Sequence, residues 1–228
     1  MSELRAENIS FGYAGAPALF EGLNLVVRGG ERVTLRAPSG FGKSTLCQIL
    51  AGYLEPDAGE VTVDGEPVRA RPGKPNPVQL VWQHPEQALD PYVRIRKSIG
   101  EAAPVPGELL EGLGVRDEWL DRFPHELSGG ELQRCCLART LSVAPRFIIA
   151  DEISTMLDAV TQVQIWEFLL EYCKSREVGL VLVTHSEALL ERLATRIIEL
   201  QKGDSPQFAV LGHQSFEETQ AMRSATSM

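Results

Sequence analysis

Gly42, Lys43 and Ser44 stand in a row, and these are the residue types that a phosphate-binding loop uses at this spacing. They lie in "RAPSGFGKSTL" (36–46), between an apolar run and a helical pattern. Gly40 and Gly42 let the backbone come close to a phosphate. Lys43 reaches the β- and γ-phosphates, and the Ser44 hydroxyl can hold Mg²⁺. The first glycine of the usual pattern is replaced by Ala37. Its methyl sits where strand gives way to loop, so a small adjustment of the cradle is expected rather than a lost site. A second chemical group follows far along the chain. The apolar run "RFIIADE" (146–152) ends in two acids. Asp151 at a strand tip can hold Mg²⁺ through water, and Glu152 beside it is placed to polarise an attacking water. Each motif alone has a plainer reading, a chance turn or a solvent-facing acid pair. Found in this order in one chain, they support each other.

Such residues need a sheet to align them. "RVTLRA" (32–37) reads as the strand that feeds the loop, and "STLCQILAGYL" as the helix that leaves it. "PVQLVWQ" (77–83), "RFIIADE" and "GLVLVTH" (179–185) are apolar without alternation, as in strands buried on both faces. "GEVTVDGEPV" (59–68) predicts a hairpin turning at Asp64-Gly65. Residues 129–141 and 159–175 have helical spacing of apolar side chains. Strands alternating with helices predict an α/β fold with a mainly parallel sheet covered on both faces. From about residue 84 the chain is rich in Pro, Gly and charge, with a helical stretch near "PGELLEGLGV". That segment predicts a small helical subdomain. The tail after Gly203 holds one more strand pattern, "QFAVLG", and a polar end.

Bulk properties narrow the class. At 228 residues the chain suits one large α/β domain or two small ones, and 43% hydrophobic residues suffice for a core. A net charge of -9 disfavours a general nucleic-acid binder, which needs a basic face, so no nucleic-acid partner is expected. The start, "MSELRAENIS", has no apolar segment of the kind that heads a secreted protein. The apolar runs are far shorter than the roughly 20 residues of a membrane span. Any membrane role is therefore expected to run through a partner. Cys47, Cys135, Cys136 and Cys173 show no CxxC spacing and are expected to be reduced thiols.

The ordered set of motifs carries a resemblance. "LSGGELQR" (127–134) stands 12 residues before the "FIIADE" strand, "STMLD" (154–158) follows it, and "VTH" ends at His185. Tyr13 lies near the start in "ISFGYAG", and Gln83 ends the "VQLVW" run. From Leu4 to about Gly203 the chain closely resembles the ATPase domain of the ATP-binding cassette family. The resemblance implies a P-loop NTPase core with an N-terminal antiparallel β portion and a helical subdomain, in one domain over 1–228. The core would take about 1–83 and 136–228, and the helical part with the signature about 84–135. It implies ATP and Mg²⁺ as cofactors. Tyr13 would stack on adenine, and Ser39, Gly40, Phe41, Gly42, Lys43, Ser44 and Thr45 would hold the phosphates. Ser44, Gln83 and Asp151 would serve the metal. Glu152 would be the catalytic base, Gln83 would touch the metal or the water, and His185 would sense the γ-phosphate. Ser128, Gly129, Gly130 and Glu131 would meet the γ-phosphate held by an opposite subunit, and Asp158 would bridge the two subunits.

A finer resemblance is to ATPase subunits of peptide and nickel importers, carried by "VQLVWQHPEQALDPYVRI", "PHELSGGELQRCCLART" and "DEISTMLDAVTQVQIW". It implies transmembrane permease subunits, a second ATPase subunit (copy or paralogue) and, indirectly, a substrate-binding protein. It also implies a peripheral position on the cytoplasmic face of the membrane. Four departures from the pattern stand out: Ala37, Ile153 for the usual proline, Thr155-Met156 for Ser-Ala, and only 44 residues between Gln83 and Ser128. The alternative is a soluble cassette ATPase of assembly, repair or translation. Such relatives often carry paired cassettes, coiled-coil insertions or basic arms, none of which this sequence shows. A cassette that binds ATP without turnover would not need Glu152 and His185.

Overall fold

The computed structural model describes residues 1–38, 40–69, 71, 73–154, 157–184, 186, 189, 192–202 and 208–215, with 201, 202 and 208–215 described by their backbone. Two sheets and a set of helices make up the fold. The first sheet is antiparallel, in the order β2-β1-β4-β5, from β1 (Glu3–Phe11), β2 (Phe20–Arg28), β4 (Ala58–Val63) and β5 (Glu66–Pro67). Its strands alternate: Leu4, Ala6, Ile9 and Phe11 of β1 turn inward and the residues between them outward. Asp64 and Gly65 both have positive φ, 51° and 79°, and make the expected two-residue turn between β4 and β5.

The second sheet runs β10-β9-β3-β8-β7-β6. It consists of β3 (Arg32–Arg36), β6 (Val78–Val81), β7 (Phe147–Asp151), β8 (Gly179–Val183), β9 (Arg196–Lys202) and β10 (Phe208–Ser215). Every pairing is parallel except β9 with β10. All five residues of β7 and of β8 are buried. Phe147 and Ile149 face one core, shared with α1 (Lys43–Leu50) and the antiparallel sheet; Ile148 and Ala150 face another, shared with α5 (Gly129–Ser142) and α6 (Ala159–Arg176). Burial on both faces is why these strands read as unbroken apolar runs.

Three details differ from the sequence reading. Helix α1 stops at Leu50, because Gly52 turns left-handed (φ 72°) and Tyr53 N–H reaches back to the Gln48 carbonyl, an end in which orphan carbonyls are satisfied. Strand β9 was not foreseen. The segment after Gln83 holds not one helix but three, α2 (Ile95–Ile99), α3 (Gly107–Gly112) and α4 (Asp117–Leu120), with 3-10 turns at Pro85–Gln87 and Pro124–Glu126. They gather Leu89, Ile95, Ile99, Trp119 and Leu120 into a third apolar cluster, completed by Leu132 and Cys135 of α5. The four cysteines are buried and unbonded.

Candidate functional site

Strand β3 ends at Arg36, and the chain turns through Gly40 and Gly42, both at φ 78°, into α1. The left-handed conformation favours glycine at Gly42, where a Cβ would also lie 2.5 Å from the Leu19 side chain. Ala37 is different. It is half-buried against the first core, and it is not among the described non-glycine residues with positive φ. Alanine therefore fits the backbone at that position. The Lys43 side chain is buried, and its ammonium donates to the carbonyls of Ala37 (3.0 Å) and Pro38 (3.2 Å), which hold it at the mouth of the loop. Ser39 lies outside the described residues. Phe41 packs on the first core.

Asp151 ends β7 and is buried. Burial pushes its carboxyl above the usual range, while a hydrogen bond from Ser44 and the nearby Lys43 pull it back. A carboxylate in this position is suited to a cation. Glu152 follows in the left-handed region (φ 51°), with its N–H on the Val183 carbonyl at 3.0 Å. That turn directs the side chain away from the strand's alternation. Its Oε2 accepts a hydrogen bond from Gln83 Nε2 at 2.9 Å. Gln83, just beyond β6, and Glu152, just beyond β7, thus meet because parallel strands end side by side. The phosphate loop, Asp151, Glu152 and Gln83 are brought together. A carboxylate oriented by an amide beside a phosphate loop can take a proton from water.

Tyr13 is exposed and sits edge-on to Phe11, with ring centroids 5.1 Å apart. Its hydroxyl is 3.1 Å from Thr45 Oγ1, which links the aromatic to the start of α1. The sequence reading missed that link, since neither residue has a local signal for it.

The signature residues open α5. Ser128 is the N-cap: its hydroxyl accepts the Glu131 N–H (3.4 Å), and Glu131 Oε2 accepts the Ser128 N–H (2.8 Å). The Ser128 N–H holds the Glu131 carboxyl below its usual range. This capping box fixes the turn and aims the first N–H groups of a 14-residue helix outward, toward a place suited to an anion. Ser128, Gly129, Gly130 and Glu131 border a concavity of 800 Å³ together with Asp158 and Arg116. No described phosphate-loop residue lines it. The two halves of the predicted site therefore lie apart within one chain. Asp158 caps α6 by accepting the N–H groups of Val160 and Thr161, each at 3.0 Å, which holds its carboxyl low. That local cap was legible in the sequence and was not read. His185, Thr155 and Met156 lie outside the described residues. Ile153, in place of the usual proline, is buried in the second core.

Comparison with known proteins gives a consistent answer. Residues 20–155 match the family described as ABC transporter. The chain is 35% identical over 209 residues to a nickel import ATP-binding protein, NikE, of Rhodospirillum rubrum, covering 82% of this chain and 74% of that one. It is 34% identical over 203 residues to a sulfate/thiosulfate import ATP-binding protein, CysA, of Bradyrhizobium diazoefficiens, covering 83% of this chain and 58% of the other. A solved ATP-binding subunit of an ABC transporter superposes with a TM-score of 0.81 at 22% identity, covering 97% of this chain and 93% of that one.

Proposed function

The chain belongs to the ABC transporter family as an ATP-hydrolysing subunit, and we propose that two such subunits close on Mg-ATP to drive import through a membrane permease. The observation that carries this reading is the meeting of Gln83, Glu152, Asp151 and Ser44 beside the Lys43 loop. Lys43 binds the terminal phosphates. Tyr13 stacks on the base. Glu152, oriented by Gln83, accepts a proton from the water that attacks the γ-phosphorus as the bond to ADP breaks. The replacement of Glu152 argued in the Discussion tests this assignment.

The residues fit Mg²⁺. A buried carboxylate hydrogen-bonded to a serine hydroxyl is a hard oxygen pair, and no larger His/Cys/Asp/Glu cluster is needed, because Mg²⁺ keeps most of its waters. Ser44, Asp151 and Gln83 would hold it. When bound it would neutralise charge on the terminal phosphates.

The separation of the signature groove from the phosphate loop supports a head-to-tail pair, in which Ser128 to Glu131 of one subunit meet the nucleotide of the other. His185 as phosphate sensor and Asp158 as bridging residue belong to the same proposal. So does the division into a core and a helical part over about 84–135.

No described helix is long and apolar enough to cross a membrane. A membrane role through permease subunits, at the cytoplasmic face and with a substrate-binding protein acting indirectly, is supported by the import systems of the relatives. The second subunit is a copy or a paralogue. A 420 Å³ groove bordered by Leu89, Val93, Lys97 and Arg139 lies in the helical segment beside Tyr92, which is 88% exposed. A cytoplasmic helix of the permease would dock there. Tyr92→Cys is expected to crosslink to a membrane subunit in isolated membranes; products with soluble proteins alone would count against the importer reading.

Base stacking has its own test. Tyr13→Ala is expected to cost on the order of 1–3 kcal/mol of nucleotide binding, as at other base–aromatic contacts. Steady-state kinetics should show KM for ATP rising more than kcat falls. The reverse pattern would make Tyr13 a packing residue.

A further inference from the structure

Tyr13 is carried by residues 12–19, which leave β1 and return to β2 without regular structure. Leu19 N–H closes the neck on the Phe11 carbonyl at 2.7 Å, and Ala16 N–H turns the tip on the Tyr13 carbonyl at 3.0 Å. Inside the neck, the Gly12 N–H donates to Asp57 Oδ2 at 2.9 Å. Asp57 comes from elsewhere in the chain, the residue before β4. It is itself held, since its own N–H donates to the Ser10 carbonyl at 2.8 Å and its neighbour Ala58 pairs with Ser10. The segment also touches the phosphate loop twice. The Tyr13 hydroxyl meets Thr45, and the Leu19 side chain fills the space that a Cβ on Gly42 would need. Asp57, Ser10, Glu21 and Tyr13 border one concavity of 570 Å³.

We infer that Asp57 is a positioning residue for nucleotide recognition: it holds the Gly12 N–H so that Tyr13 presents its ring to the base. The inference rests on the reading of Tyr13 as the base contact. Glycine is the most permissive hinge a chain can have, and it stands directly before the aromatic. The bond to Asp57 removes that freedom. A carboxylate acceptor makes a stronger bond than a neutral one, although its exposure keeps it modest. The Ala18 backbone lies close against Gly12, since a Cβ there would come within 3.3 Å of the Ala18 Cα. Asp57 touches no reacting atom, and its effect is exerted on the base alone.

The test compares wild type, Asp57→Ala, Asp57→Asn, Tyr13→Ala and the Asp57→Ala/Tyr13→Ala double variant, titrated with a fluorescent ATP analogue and with inorganic tripolyphosphate, which has no base. Asp57→Ala is expected to weaken ATP binding about three- to tenfold and to leave tripolyphosphate binding unchanged. KM for ATP rises and kcat holds. Asp57→Asn, whose amide oxygen still accepts the N–H, stays within about twofold of wild type. The double variant binds no more weakly than Tyr13→Ala alone, because Asp57 acts through the tyrosine. Asp57→Ser, too short to reach Gly12, should reproduce the pattern if the alanine variant does not fold. Wild-type affinity in Asp57→Ala with a loss in Tyr13→Ala overturns the role of Asp57 and leaves stacking intact. No loss in Tyr13→Ala removes the stacking reading, and the inference with it. Additive losses in the double variant, or an equal loss of tripolyphosphate binding, would show that Asp57 acts through the fold, and would overturn the inference.

Discussion

Glu152→Gln is expected to bind Mg-ATP as well as the wild type or better, while turnover falls by about 10²-fold or more, the range for loss of a general base. The substitution keeps the size and planar shape of the side chain. Its amide oxygen can still accept the 2.9 Å hydrogen bond from Gln83, so the geometry between β6 and β7 should survive. What disappears is the capacity to take a proton from water and a negative charge that, in the proposed complex, would face the γ-phosphate. The first loss stops the reaction, and the second removes a repulsion in the bound state. Phosphate release measured alongside nucleotide binding checks both halves. Hydrolysis at the wild-type rate would rule out Glu152 as the base.

The same variant tests the pairing of subunits. With hydrolysis blocked, a closed pair should accumulate on ATP with EDTA and be visible by light scattering after size exclusion. Adding Ser128→Arg should abolish it. Ser128 is the capped start of α5 and borders the 800 Å³ groove, so a long side chain there would block the proposed approach of the opposite nucleotide. An inactive Glu152→Gln that never pairs with itself would leave the base assignment standing and identify the mate as a paralogue.

How far this site could be read in the sequence depended on how local each interaction is. The phosphate loop was legible because Gly40 to Ser44 are consecutive and their chemistry is fixed by spacing. The acids at 151 and 152 were legible because an apolar run ending in charge marks the tip of a buried strand. The Gln83–Glu152 contact spans 69 positions and follows from the parallel pairing of β6 with β7, which no local pattern states. Gln83 was reached through family resemblance instead. The Asp57–Gly12 bond spans 45 positions and depends on the register of β4 against β1. Register is set by cross-strand pairing, so the bond was invisible in the sequence. Helices α2 and α4 were missed because five and four residues are too few to show a 3.6-residue period. Strand β9 carries charge at both ends, Arg196 and Lys202, and its apolar centre is too short to separate strand from helix.

Lys43→Ala is expected to weaken ATP binding by about one to two orders of magnitude, as for the loss of a hydrogen-bonded charge worth roughly 1.5–3 kcal/mol. The structure makes the lysine a prepared group. Its stem is buried, its ammonium is held by two neutral carbonyls, Ala37 and Pro38, and it makes no ion pair among the described residues. A phosphate can therefore recruit the charge without first breaking a salt bridge. Arginine should not rescue it. The guanidinium is broad and planar, whereas a compact point charge fits the space between those carbonyls. Removing the ammonium also leaves Asp151 without the cation that helps keep its carboxyl ionised, which weakens the proposed hold on Mg²⁺. Titration with ATP and with tripolyphosphate separates this loss from the others. Lys43→Ala should weaken both ligands alike, because it removes a phosphate contact. Tyr13→Ala should weaken ATP alone. Equal affinity of Lys43→Ala and wild type for tripolyphosphate would mean that residues 37–45 do not bind phosphate, and the assignment of the loop would fall.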